Sequence, residues 1–148
     1  MIINKLTTIE SEIQSKITEF KLSNLDPKII AVSKTFPIKD ILPLINHGHC
    51  HFGENKVQEA IEKWSDIKIK NKSLKLHMVG KLQSNKVKYV VNLFDYIHSL
   101  DNLKLAETIS REQIKKAKNL KIFIQVNLGK EDQKSGIYPE KVKEFFDI

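Results

Sequence analysis

Lys34 stands where chemistry is possible. It follows the apolar run Ile29-Ile30-Ala31-Val32 inside the segment Ser33-Lys34-Thr35-Phe36-Pro37, so a strand gives way to a helix at a lysine. An amine beside a low-dielectric core is held away from its ammonium form, and a neutral amine attacks aldehydes to form Schiff bases. Lysine is also usually solvent-exposed, and this segment alone leaves both readings open. Other polar residues close later apolar runs: Glu54 and Asn55, Gly80, Ser99 and Asp101, and Asn127. A further grouping, His47, His49, Cys50 and His51, has metal-ligating side chains at short spacing. Zinc needs ligands converging at about 2.0 to 2.3 Å. Strand alternation puts His49 and His51 on one face and Cys50 on the other, so no metal is expected there.

The elements that position these residues follow from apolar periodicity. Ile2, Leu6, Ile9, Ile13, Ile17 and Phe20 recur at spacings of three and four, which predicts a helix ending near Leu22. Strands are expected at 29–33, 49–54, 74–79, 94–99 and 121–128, each followed by a helical segment. In the first of these helices Pro37 suits the first turn, Pro43 predicts a kink or an early end, and Gly48 a stop. Asn55, with Gln58 three residues on, resembles a capping box, and Asp101 or Asn102 is placed to cap the helix that Asn119 should end. Along the fifth strand Phe123, Gln125 and Asn127 share one face, which turns Asn127 inward with Gln125.

Composition narrows the class. At 148 residues and 41% hydrophobic content the chain suits one domain with its own core. No stretch nears the roughly 20 apolar residues of a membrane span. Asn4, Lys5, Glu10 and Glu12 interrupt any leader-like apolar run, and Cys50 is the only cysteine, so a cytoplasmic protein is expected. The net charge of +7 raises the question of nucleic acid, but Arg111 is the only arginine among 25 basic residues, and the lysines form no stripe interleaved with aromatics. Specific nucleic-acid binding is not expected.

Strand starts roughly 20 to 27 residues apart indicate successive βα units with parallel strands. The glycine fingerprint of dinucleotide folds is absent after the first strand, and no GxxxxGK[ST] loop occurs. A (β/α)8 barrel would bring all the strand-end polar residues to one rim. The expectation is therefore an α/β domain of the parallel TIM-barrel type, with about five βα units after an N-terminal helix, forming a single domain over residues 1–148.

Five segments in order, AVSKTFP (31–37), FGENKVQEA (52–60), HMVGKLQSNK (77–86), HSLD (98–101) and QVNLGKEDQKSG (125–136), resemble the pyridoxal phosphate homeostasis proteins, whose fold is similar to the N-terminal barrel of alanine racemase. The resemblance runs from the first strand to the last loop. It implies pyridoxal 5′-phosphate as cofactor, held as a Schiff base on Lys34, in a protein that controls the free cofactor, passes it to recipient apoenzymes and turns over no substrate. Asn55 would lie on the rim near the cofactor, or serve only as a helix cap. His77 would sit near the barrel mouth, or be a hydrogen-bonded core histidine. Asn127 would have a site role. The alternative is a racemase- or decarboxylase-like enzyme; such enzymes add a second domain, for which 148 residues leave no room.

The resemblance also implies three further βα units, roughly 70 residues toward the ~250 of the full fold. Phosphate in such barrels is held by loops after the seventh and eighth strands. We therefore expect a C-terminally shortened member with weak cofactor affinity, either relying on a complementing polypeptide or a non-functional fragment.

Overall fold

The computed structural model describes residues 2–148. Helix α1 (Ile2–Glu19) precedes five βα units: β1 (Ala31–Val32), α2 (Ile38–Asn46), β2 (His51–Glu54), α3 (Val57–Lys70), β3 (Lys75–Met78), α4 (Val87–Leu93), β4 (Tyr96–Leu100), α5 (Leu103–Lys116), β5 (Lys121–Ile124) and α6 (Val142–Asp147). Short 3-10 turns, Ser84–Lys86 and Pro139–Lys141, lead into α4 and α6. The five strands are parallel and adjacent in sequence order. The architecture is α/β and follows the arc of an incomplete (β/α)8 barrel, as expected.

Helices cover one face of this sheet, and the core lies between. Phe52, Leu76, Met78 and Ile97 point from the strands into Trp64, Val87, Val90, Val91, Leu105 and Ile109 of the helices, all nearly or fully buried. Burying each such side chain contributes roughly 1.5 to 3 kcal/mol. The other face, concave in a closed barrel, carries Val32, His51, Lys75, His77, Tyr96, His98 and Phe123, with Val32 and Phe123 about half exposed. Outer edges of β1 and β5 have no strand partner among the described residues.

Several boundaries differ from expectation for local reasons. The first strand contracts to two residues, Ala31 and Val32, paired only with β2. Helix α2 runs three residues past Pro43, which is exposed and sacrifices only its own bond to the preceding turn. It stops at Gly48, whose φ of +96° lets Gly48 and His49 bond back to the Ile45 and Leu44 carbonyls. Helix α5 ends at Ala117 in the left-handed conformation (φ 50°) instead of at Asn119. Its N-cap is Asn102, whose side chain accepts from the Leu105 amide at 2.9 Å. Of the periodic face of α1, only Leu6 is buried.

Candidate functional site

The chain leaves β1 through a tight turn in which the Ser33 carbonyl accepts from the Phe36 amide at 3.0 Å, and Lys34 is the second residue of that turn. Val32, the last residue of β1, lies beside Gly53 on the uncovered face, and Lys34 follows it by two residues. Its side chain is exposed, and among the described residues no hydrogen bond or ion pair holds its amine. The desolvation expected from sequence is thus not supplied by the described residues, which leave the Lys34 side chain exposed.

Behind this turn, on the helix-covered face, lies a charged cluster built on a carboxylate with no access to solvent. Glu54 closes β2 fully buried, and its Oε1 accepts from Ser33 Oγ at 2.7 Å, Trp64 Nε1 at 2.8 Å and Lys63 Nζ at 2.9 Å. Lys63, whose side chain is 12% exposed, also donates to the Ser33 carbonyl at 2.8 Å. That carbonyl therefore closes the Lys34 turn and receives the buried ammonium at once. The backbone is tied as well, since Ser33 N donates to Gly53 O and Val79 N to Glu54 O, each at 2.9 Å.

Asn55 directly follows β2, and Gly80 lies two residues past the end of β3. A Cβ at Gly80 would lie 2.2 Å from the Asn55 carbonyl oxygen, so the FGEN and HxxG motifs meet backbone to backbone and only glycine fits. Asn55 does not cap α3; the N-cap is Lys56, whose side chain makes no capping bond to the helix backbone. Gln58 and Gln83, with Lys81 and Lys86, line a cavity of about 320 Å³ beside Asn55.

His77 lies one layer deeper, level with Gly53. It is 3% exposed and is the middle of a file of three rings: His51 Nδ1 lies 3.0 Å from His77 Nε2, and His77 Nδ1 lies 2.9 Å from His98 Nε2. Tyr96 stacks on His77 with centroids 4.1 Å apart, and Phe123 stacks on His98 at 4.6 Å. Burial pushes the His77 pKa down to about 4, helped by the neighbouring His98 and His51. Burial likewise lowers those of His51 and His98. Neutral rings suit the geometry, since each contact needs one N–H and one lone pair. His49 does not join the file: its Nε2 lies 2.8 Å from the His51 carbonyl oxygen and its ring packs edge-on to Phe52. His47, His49, Cys50 and His51 border a cavity of about 440 Å³ at the opposite end of the sheet from Lys34. Among the described residues, no three His, Cys, Asp or Glu side chains gather as a metal site would require.

Asn127 is buried, and its amide is engaged within its own loop, donating to Glu131 O at 2.9 Å and Lys134 O at 3.3 Å while Oδ1 accepts from Glu131 N. The structure thus brings Lys34 and Asn55 to adjacent rim positions and sets His77 beneath the rim, but β5 ends at Ile124, so Asn127 lies in the following loop and not on the inward face of a strand running to residue 128. Sequence reasoning missed Lys63, Trp64 and Ser33. The one available signal was Glu54, a carboxylate at the end of an otherwise buried strand.

A five-strand parallel arc with a lysine at the first strand end defines a barrel-type α/β protein, and the chain belongs to the family described as alanine racemase, N-terminal domain, which matches residues 11–148. Within it, the chain is similar to proteins named pyridoxal phosphate homeostasis protein. That of Pasteurella multocida is 39% identical over 137 residues, covering 93% of this chain and 59% of the relative; that of Haemophilus influenzae is 36% identical over 139 residues, covering 94% and 59%. Among solved structures, PipY of Synechococcus elongatus without PLP superposes with a TM-score of 0.76 at 36% identity, covering 89% of this chain and 62% of PipY. The same protein with PLP bound gives 0.73 at 35% identity, covering 89% and 61%. The chain spans about 59% of the length of the curated relatives it matches.

Proposed function

We propose that this chain binds pyridoxal 5′-phosphate through Lys34 and serves to hold the cofactor, not to turn over a substrate. The observation that carries the reading is the exposed Lys34 amine, unengaged among the described residues, in a turn at the C-terminal end of β1, where barrel proteins keep their sites. The names of the relatives and the PLP-bound PipY structure support the choice of ligand. When bound, pyridoxal phosphate supplies an aldehyde that condenses with a primary amine, losing water. The residues present fit its aldehyde end: Lys34 offers the amine, and Asn55 offers an amide on the adjacent strand end. His77 and the stacked Tyr96 form a neutral floor beneath that rim, while Asn127 shapes the loop after β5. Transfer to recipient apoenzymes and a cytoplasmic location belong to the same proposal. No helix among the described residues is long and apolar enough to cross a membrane. The outer edges of β1 and β5 are where a complementing polypeptide would join the sheet.

Absorption titration with pyridoxal phosphate tests the reading. A visible band shifted from that of the free cofactor, present in the chain and lost in Lys34→Ala, is expected. A band of equal strength in Lys34→Ala would overturn it.

A further inference from the structure

We propose that Lys63 is a positioning residue for Lys34, holding the turn that presents the amine, an inference that rests on the pyridoxal phosphate reading above. The Ser33 carbonyl is the hinge of the argument. It accepts the Phe36 amide that closes the turn around Lys34 and, at 2.8 Å, the Lys63 ammonium reaching up from α3. Glu54, fully buried, fixes that ammonium at 2.9 Å and holds Ser33 a second time through its hydroxyl at 2.7 Å. Trp64 fixes Glu54 in turn. The carbonyl and hydroxyl of residue 33 are thus both tied, directly or through Lys63, to the fully buried Glu54.

A buried lysine and carboxylate are costly to desolvate, and apolar residues of the same volume stabilise a fold as well or better. Stability alone therefore does not account for the pair at this place. Geometry does, because a reacting amine displaced by about 1 Å can lose on the order of 100-fold in rate. Helix α3 carries an internal control. Lys68, five residues further along, makes the same kind of bridge at the other end of the sheet, to Asp95 Oδ2 and to the Leu93 carbonyl, each at 2.5 Å, remote from Lys34.

The test pairs two neutralised bridges in the full chain, Lys63→Met/Glu54→Gln and Lys68→Met/Asp95→Asn. Pyridoxal phosphate is added, borohydride traps the adduct, and the label on Lys34 is followed in time by peptide mapping, with amide hydrogen exchange of Phe36 measured without ligand. The first variant should trap roughly tenfold slower and exchange Phe36 roughly tenfold faster. The second should match the wild type within about twofold in both, and Lys63→Arg should recover most of the trapping rate by keeping the charge. Unchanged trapping and exchange in the first variant would overturn the proposal, as would equal losses in both variants. Faster Phe36 exchange in the first variant alone, with no label on wild-type Lys34, would keep Lys63 as the holder of the turn and reject pyridoxal phosphate as the ligand.

Discussion

Two bridges made by one helix behave differently because of where they sit. At the C-terminal end of the strands, Lys63 meets Glu54 with side-chain exposures of 12% and 0%; at the N-terminal end, Lys68 meets Asp95 at 20% and 26%. Both lysines bond one carboxylate and one main-chain carbonyl. The lower bridge also places a cation on the last carbonyl of α4, a favourable end for positive charge. The lower pair is the more exposed of the two, although burial still lowers the Lys68 pKa, so water can partly replace a lost partner there. Water does not reach Glu54. The same chemistry therefore gives a tolerant brace at one end and an unforgiving one at the end that carries Lys34.

Removing one partner separates them most sharply. Glu54→Ala strands a buried ammonium and leaves Ser33 Oγ and Trp64 Nε1 without their acceptor, so a loss of about 4 kcal/mol is expected in urea unfolding. Asp95→Ala also unties the Leu76 amide, which donates to its Oδ2 at 2.8 Å, yet should cost only about 2 kcal/mol because solvent screens what remains. Equal losses would break the comparison.

The histidine file sharpens it from the uncovered face. There the buried polar groups satisfy one another as neutral rings and carry no charge. As pH falls below 6.5 the unfolded histidines bind protons, while folded His77 resists until about 4. The unfolded state then holds more protons, so stability is full above 6.5 and falls as pH drops through that window. Lys28 and Lys75 act against protonation of His51, and Asp95 favours it. A loss of about 1.5 kcal/mol between pH 7 and pH 4 is expected from the file, visible in thermal melts and reduced in His77→Phe. A smaller increment checks the scale: Asn102→Ala, which removes only the cap of α5, should cost about 1 kcal/mol.

How much of this could be read in advance follows from range. The five βα units were legible because each apolar run ends in a polar residue at a rim, and Lys34, Asn55 and Gly80 were singled out on that basis. Asn55 failed as a cap because Gly80 presses on its backbone, a contact between residues 25 positions apart that no local pattern encodes. Pairing of Glu54 with Lys63 depends on how far α3 is rotated over β2. The histidine file depends on register, which sets His77 level with Gly53 and one step above His51. Alternation within the second strand predicted His49 and His51 together, but β2 begins at His51, so His49 falls outside the alternation. Pro43 did not end its helix at once, because a helix accepts one lost bond, and Asn119 was displaced as the stop of α5 by a left-handed alanine at 117.

The central claim is that the amine of Lys34 takes up the aldehyde, and borohydride reduction of the chain mixed with pyridoxal phosphate, followed by peptide mapping, tests it most directly. The account predicts one dominant reduced adduct, on Lys34. An adduct spread evenly over the exposed lysines, or concentrated on another one, would contradict it.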